Sequence, residues 1–351
     1  MGGTVRYAGI CTQGEPVNRS LQDQVFDQPA DAPVNSDAPR VLDPFAALAA
    51  RVGRAHVDQR LSLEAGLEGH VRRFGARFFH IESRYSAHTV IRTSLRLVGL
   101  YARARRNARM LRVRENEVRL RNLPSALDGY TILQISDPHV DMSPDIPDAL
   151  IASLRDVAYD LCVLTGDYRT KTFGPHEPTL EAMARVRPHL RAPVYAVLGN
   201  HDTIRMVPGF EELDMRVLLN ESVTLERRGA ALHLAGIDDA HHYRLHDLEK
   251  ARRGIPAGVP SILLSHTPEA YWQAARAGFH LMLSGHTHGG QICLPGGFPL
   301  ITDADCPRRY TKGPWRHEAL VGYTSVGSGS SIVDVRLNCP PEVTLHRLRA
   351  E

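Results

Sequence analysis

Between residues 130 and 290, five short apolar runs each stop at residues able to donate to a metal ion. "YTILQIS" leads to Asp137 and His139, and "LCVLTG" to Asp167. "VYAVLG" leads to Asn200, His201 and Asp202, "SILLSH" ends at His266, and "HLMLSG" leads to His286 and His288. Carboxylate, imidazole and amide oxygen are hard or borderline donors, and no thiolate is among them. Such a set suits Mn, Fe, Zn or Mg and is too rich in imidazole for Ca. Seven candidates, namely Asp137, His139, Asp167, Asn200, His266, His286 and His288, exceed one tetrahedral site. They match two divalent ions that share a bridging carboxylate. One Asp at a strand end is ordinarily a cap, and one buried His ordinarily a hydrogen-bonded structural residue. Five successive tips of one donor chemistry are not explained that way.

The elements that must present these tips are legible from periodicity. The five runs read as buried strands. "DALIASLRDVAYD", "PTLEAMARVRPHL" and "PEAYWQAARAGF" read as helices between them, and "VTLERRGAALHLAGI" as a hairpin turning at Arg-Arg-Gly. Strand–helix alternation predicts an α/β sandwich. In open α/β folds ligands sit outside the carboxyl ends of the strands, so the five tips can converge on one crevice.

Together "D-x-H" at 137–139, "GD" at 166–167, "GNHD" at 199–202, His266 and "GHTH" at 285–288 resemble the calcineurin-like metallophosphoesterases. "GHTHGGQI" and the late "NCPPEVTLHRL" resemble their bacterial YkuE/YaeI-type branch. The resemblance spans residues 118–348. It implies a four-layer αββα sandwich of two mixed β-sheets. It also implies a first metal held by Asp137, His139 and His288, with Asp167 bridging. Asn200, His266 and His286 would complete the second. The implied reaction is hydrolysis of a phosphodiester or pyrophosphate by a metal-bridging hydroxide, with His201 facing the leaving oxygen. Asp202 would either orient His201 or cap the next turn. Some members of that branch act on UDP-2,3-diacylglucosamine, so a lipid-linked substrate is one expectation. The contrasting reading, a non-catalytic metal-binding scaffold of the same fold, would have lost ligands or His201, and neither is lost.

Two departures stand out. Pro138 lies between the first two donors, where a fixed φ and a missing N–H predict a shifted loop. After Asp167 comes "YRTK", without the acidic residue that many relatives carry there. Around the rim, Arg308, Arg309 and Lys312 are candidates for substrate phosphate. Gln291 is a candidate to orient a ligand histidine, and "VGSGSS" at 326–331 reads as a structural turn near the site. Asp238, Asp239, His241, His242 and His246 read as a polar loop beside the crevice rather than a third metal site.

The rest of the chain is expected to divide at residues 43 and 117. Residues 1–43, rich in Pro, Asp, Gln and Asn, read as a loose tail. Residues 44–117 read as a helical, Arg-rich extension, and residues 118–351 as the catalytic domain. Residues 72–114 hold twelve arginines and one acid, Glu82, so the remainder is negative although the whole chain carries +3. Basic charge this local does not suit general nucleic-acid binding, and no nucleic-acid partner is expected. Within it, 89–110 predicts a basic amphipathic helix with Arg92, Arg96, Arg103 and Arg106 in line and Ile91, Leu95, Leu97, Val98 and Tyr101 opposite. Such a helix either lies on an anionic membrane surface or packs on the neighbouring domain. No apolar run approaches the roughly 20 residues that span a bilayer. The five scattered cysteines form no framework, which suggests reduced thiols. The opening residues carry neither a secretory signal nor a myristoylation site. The expected location is therefore the cytoplasm, with contact at the inner face of the membrane through 89–110.

Overall fold

The structure is a computed structural model that describes residues 43–74, 81–191 and 193–351. All but the last residue of the expected tail lies outside the described residues. Asp43–Glu351 form one compact unit. Four helices lead in: α1 (Ala46–Val52), α2 (Arg54–Phe74), α3 (Ile81–Leu97) and α4 (Tyr101–Asn107). The first strands are β1 (Arg112–Leu120), β2 (Thr131–Ile135), β3 (Leu161–Thr165), β4 (Val194–Val197) and β5 (Met215–Val217). Next come β6 (Glu221–Arg227), β7 (Ala230–Gly236), β8 (Ser261–Leu264) and β9 (Leu281–Ser284). The chain ends with β10 (Cys293–Leu294), β11 (Phe298–Pro299), β12 (Gly313–His317), β13 (Leu320–Thr324) and β14 (Glu342–Ala350). Between strands lie α5 (Asp145–Leu154), α6 (Glu177–Val186), α7 (Val207–Glu212), α8 (Leu248–Arg252) and α9 (Tyr271–Arg276).

Two six-stranded mixed sheets, ordered β1-β14-β2-β3-β4-β5 and β12-β13-β9-β8-β7-β6, face each other. Ile132, Val163 and Val197 of the first sheet share one apolar cluster with Leu234, Ile262 and Leu283 of the second. The outer face of the first sheet packs under α5, α6 and α7, with Leu150, Met183 and Phe210 in one cluster. The outer face of the second packs under α8 and α9 through Ala251, Ala274 and Phe279. The result is the expected four-layer sandwich. Strands β2 and β3, all five residues of each buried, explain why the sequence shows continuous apolar runs rather than alternation. Strand β1 is different. Its "RVRENEVRL" is mostly exposed because it is an edge, paired parallel to β14.

The structure corrects two expected boundaries. The first sheet begins at Arg112, inside the expected extension, because β1 pairs with β14 along its whole length. The extension is also not separate: Leu48, Val52 and Val57 of α1 and α2 are buried in the same cluster as Phe210 and Val217. The helix expected over 89–110 is two helices. α3 stops at Leu97, and Gly99, at φ +70°, turns the chain before α4. Ile91, Leu95 and Ala104 pack on Val333 and Val335, whereas Leu97 and Val98 at the turn are 82% and 65% exposed.

Candidate metal centre

Strands β2, β3 and β4 of one sheet and β8 and β9 of the other deliver their carboxyl ends to the same place. The two sheets are stitched there: Asp137 accepts the backbone N–H of His286 at 3.0 and 3.1 Å through its two oxygens. Asp137, His139, Asp167, His286 and His288 all take left-handed backbone, with φ between +41° and +72°. Asp and His tolerate that region better than most side chains, though it still costs about 1–3 kcal/mol each. The glycines beside them serve close approach. A Cβ on Gly199 would lie 2.2 Å from Asp167 Oδ1, and one on Gly285 would lie 1.8 Å from Ser136 Oγ. Pro138 does not displace its neighbours, since both donors reach the centre.

Two donor clusters form at the strand tips: Asp137, His139 and His288 make one, and Asp167, His266 and His286 the other, with ligand atoms within 4.8 Å of one another in each. A third group, His241, Glu269 and His286, lies beside them and shares His286 with the second. In the first, His139 Nε2 faces His288 Nε2 at 3.1 Å. His139 donates Nδ1–H to the carbonyl of Arg169 at 2.9 Å, which turns its Nε2 lone pair inward. The acceptor in this loop is thus a backbone carbonyl rather than an acidic side chain. In the second cluster His266 Nε2 lies 3.0 Å from Asn200 Oδ1 and 3.2 Å from His286 Nδ1. His266 Nδ1 is fixed at 2.8 Å on the Thr165 carbonyl.

Asp167 stands between the two. Its Oδ1 accepts the His201 backbone N–H at 2.9 Å. Its Oδ2 lies 3.4 Å from His266 Nε2 and 3.9 Å from both His139 Nε2 and His201 Nε2. One oxygen is thus anchored and the other is central to both clusters. Burial disfavours charge on Asp167, but the imidazoles of His266, His201 and His139 outweigh it and hold its carboxyl well below the ordinary value. Burial also works against a charged His266, yet Asp167 and Asp137 lift it to about 10. His286 and His288 are pushed well below their ordinary value, by burial first and then by neighbouring positive groups. They are neutral imidazoles, the ligand form.

The donor set fits divalent metal. Imidazole nitrogens meet in pairs at 3.1–3.2 Å, with the oxygens of Asn200 and Asp167 beside His266. The Nε2 of His286 is buried and has no hydrogen-bond partner among the described residues. A calcineurin-like phosphoesterase family model matches residues 130–290, the segment that contains every one of these donors. The chain carries a calcineurin-like phosphoesterase domain. By class it is a metal-dependent phosphoric ester hydrolase.

The domain is similar to the uncharacterized metallophosphoesterase YkoQ of Bacillus subtilis, at 28% identity over 256 residues, 70% of this chain and 93% of that protein. It is similar to phosphodiesterase YaeI of Escherichia coli K12, at 28% identity over 62% of this chain and 82% of that protein. A Bos taurus transmembrane protein with metallophosphoesterase domain is 30% identical over 74% of this chain and 61% of its own length.

His201 of the phosphoesterase domain is oriented by Thr172, whose Oγ1 lies 3.1 Å from Nδ1. Arg169, buried, donates to the carbonyls of Lys171, Thr172 and Gly174 and so shapes that loop. The carboxylate of Asp202 caps backwards instead of onto the next turn. It accepts the N–H groups of Asp167 at 2.7 Å, Gly199 at 2.8 Å and Tyr168 at 2.9 Å, locking two strand tips together. Burial and the adjacent Asp167 charge raise its pKa to about 6.

Around the rim, one expectation is corrected, that for Gln291. Arg308 donates to the carbonyls of Pro299 and Leu300, the latter a residue of the cleft wall, and Arg309 donates to the Tyr310 hydroxyl. Gln291 does not orient a histidine. Its amide grips Ser331 and Val333 through three hydrogen bonds of 2.7–2.9 Å. The 326–331 turn is structural as expected, with Ser328 and Gly329 N–H groups on the Ser136 and Asp137 carbonyls. Asp238 and Asp239 are also structural: Asp238 meets His56 and Arg60, and Asp239 caps the following turn.

Two contributors had no local sequence signal. Arg336, fully buried, donates to the His288 carbonyl at 3.1 Å and lies 3.1 Å from His288 Nδ1. The other is an apolar cleft of about 330 Å³ that opens beside Asp167, His201, His286 and His288. Its far wall is Ile91 of α3, Ile292, Leu300, Ile301, Ile332 and Val333. Phe298, Leu300 and Ile301 at the rim are 70%, 56% and 79% exposed.

Proposed function

We propose that this chain hydrolyses a phosphodiester or pyrophosphate whose organic part is apolar, a lipid-linked substrate such as UDP-2,3-diacylglucosamine. The observation that supports this reading best is the cleft: one end carries Asp167, His201, His286 and His288 of the metal site, and the other is mostly aliphatic, with Gln291, Asp303 and Ser331 among its lining. Two divalent ions here, Mn, Fe, Zn or Mg, would supply charge neutralisation and an activated water. Asp137, His139 and His288 would hold one and Asn200, His266 and His286 the other, with Asp167 shared. Two carboxylates against two divalent ions leave the floor net positive, which suits a phosphate group. His201, held by Thr172 and aimed across Asp167, would give a proton to the leaving oxygen.

Membrane-surface contact belongs to the same reading. Leu97 and Val98 protrude at the α3–α4 turn, flanked by Arg96 and Arg103, and α3 also lends Ile91 to the cleft. Apolar tips among arginines suit the interface of an anionic bilayer. Among the described residues no helix is long and apolar enough to cross a membrane.

The test is hydrolysis of bis-p-nitrophenyl phosphate and of UDP-2,3-diacylglucosamine by chain reconstituted with each metal. Metal-dependent turnover of both, with far higher kcat/KM on the acylated substrate, is expected. Metal-dependent turnover of the small diester with none of the lipid would remove the lipid reading and keep the phosphoesterase.

A further inference from the structure

We infer that Arg60 and Glu64, one turn apart on α2 and outside the segment the family model matches, are positioning residues that set the His201 imidazole. This rests on the reading of His201 as proton donor. The two side chains grip the three consecutive residues after His201. Arg60 donates Nη2–H to the Asp202 carbonyl at 3.0 Å. Glu64 accepts the Thr203 hydroxyl and the Ile204 N–H, the latter at 2.8 Å. The pair is joined to itself, Arg60 Nε to Glu64 Oε1 at 3.0 Å. Outside it, Asp238 pairs with Arg60, Arg205 meets Glu64 at 2.8 Å, and the Arg60 guanidinium lies 3.5 Å over the Tyr243 ring.

Arg60 is 0% exposed and Glu64 4%. Burying ion pairs is a poor way to gain stability, because desolvation offsets the attraction and apolar replacements are often as stable. What buried pairs do well is fix one register, and here the element registered is the loop behind His201. The far side of that loop is held independently. Asp167 takes the His201 N–H, and the Asp202 carboxylate takes Gly199, Asp167 and Tyr168. The metal donors come from five strand tips, whereas Arg60 and Glu64 make their contacts beyond α2 at residues 202–205, Asp238 and Tyr243. Loosening the α2 grip therefore lets the His201 ring drift while the metal centre stays assembled.

The experiment uses the full chain loaded with metal and a series of aryl phosphodiesters running from p-nitrophenol to phenol as leaving group. A proton donor matters little for p-nitrophenolate and greatly for phenolate. The variants are Arg60→Met, which replaces the buried guanidinium with an apolar chain, Arg60→Lys, Glu64→Gln and His201→Ala. Metal content and melting temperature are measured on each. For Arg60→Met and Glu64→Gln the expected loss is about 10–100-fold on the phenyl ester, the size of an outer-shell defect. Little loss is expected on the p-nitrophenyl ester, with metal content unchanged and Arg60→Lys partly restored. Should Arg60→Met not fold, Glu64→Gln reads the same dependence. A steep His201→Ala series beside flat or uniform losses in the α2 variants overturns the inference alone. A flat His201→Ala series removes the proton-donor reading and the inference with it.

Discussion

The floor of the cleft and its rim are adjacent but built on opposite terms. The floor is buried, polar and drawn from the ends of five strands, with five of its residues in left-handed backbone. The rim is exposed, aliphatic and carried on a two-strand hairpin and the α3 wall. Strand ends between two packed sheets hold atoms to fractions of an ångström, which bond-making requires. A hairpin that presents Phe298 and Ile301 to water needs no such precision. It offers apolar area, to which the hydrophobic effect is roughly proportional. The contrast suggests a division of labour: the floor decides what reaction occurs, and the rim decides which molecule undergoes it.

Changes that break the floor should have the largest effects. Asp167→Asn removes the one carboxylate oxygen central to both clusters, and at least about a 10³-fold loss of kcat is expected on every substrate. Chelation should reproduce it in wild-type chain and readdition of metal should reverse it. Loss confined to one substrate class would refute the shared role. His201→Ala should cost about 10²–10⁴-fold on an ester with a poor leaving group such as phenolate, the range of general-acid catalysis, and far less on the p-nitrophenyl ester, with metal retained by elemental analysis.

Rim changes should be smaller and selective. Phe298→Ser with Ile301→Ser should raise KM for an acylated substrate by about 10-fold, since partial covering of the two side chains together contributes on the order of 1.4 kcal/mol, less than their full burial. Steady-state kinetics on bis-p-nitrophenyl phosphate should be unchanged by the same pair. Equal losses on both substrates would mean the hairpin supports the floor.

The smallest predicted effect isolates burial from metal. His346, in β14 between Gln134 Oε1 at 2.9 Å and Asn116 Nδ2 at 3.0 Å, is depressed to about 3 by burial alone. A depressed histidine resists protonation in the fold but not in the unfolded chain. Its contribution is therefore complete above pH 6.5 and is lost as pH falls from 6.5 toward about 3. Chemical denaturation should show stability declining by about 1–2 kcal/mol between pH 6.5 and 5 from this group. In His346→Gln that part of the slope should vanish. An unaltered slope would show that other groups carry the acid sensitivity.

The same contrast explains how much was legible in the sequence. The donors Asp137, His139, Asp167, Asn200, His266, His286 and His288 could be read because each closes an uninterrupted apolar run, so type and place coincide in a few residues. The α/β sandwich came from the alternation of those runs with helices, and its four layers from the resemblance to the calcineurin-like metallophosphoesterases. The left-handed backbone at His286 and His288 had no marker in residue type or spacing. Arg60 and Glu64 carried no sequence signal, since their partners lie about 140 residues or more away in sequence. The hydrogen bonds of Arg308 to the Pro299 and Leu300 carbonyls had no sequence signal, because backbone acceptors leave no trace in composition. The helix expected at 89–110 was read through Gly99, a residue that a helical wheel does not weigh.

The most direct test of the central claim is electron paramagnetic resonance of the manganese-reconstituted chain, with metal content determined on the same sample. Two Mn per chain with an exchange-coupled signal are predicted, the coupling being lost in Asp167→Asn. One Mn per chain, or two uncoupled six-line signals in the wild-type chain, would contradict a bridged pair at Asp167.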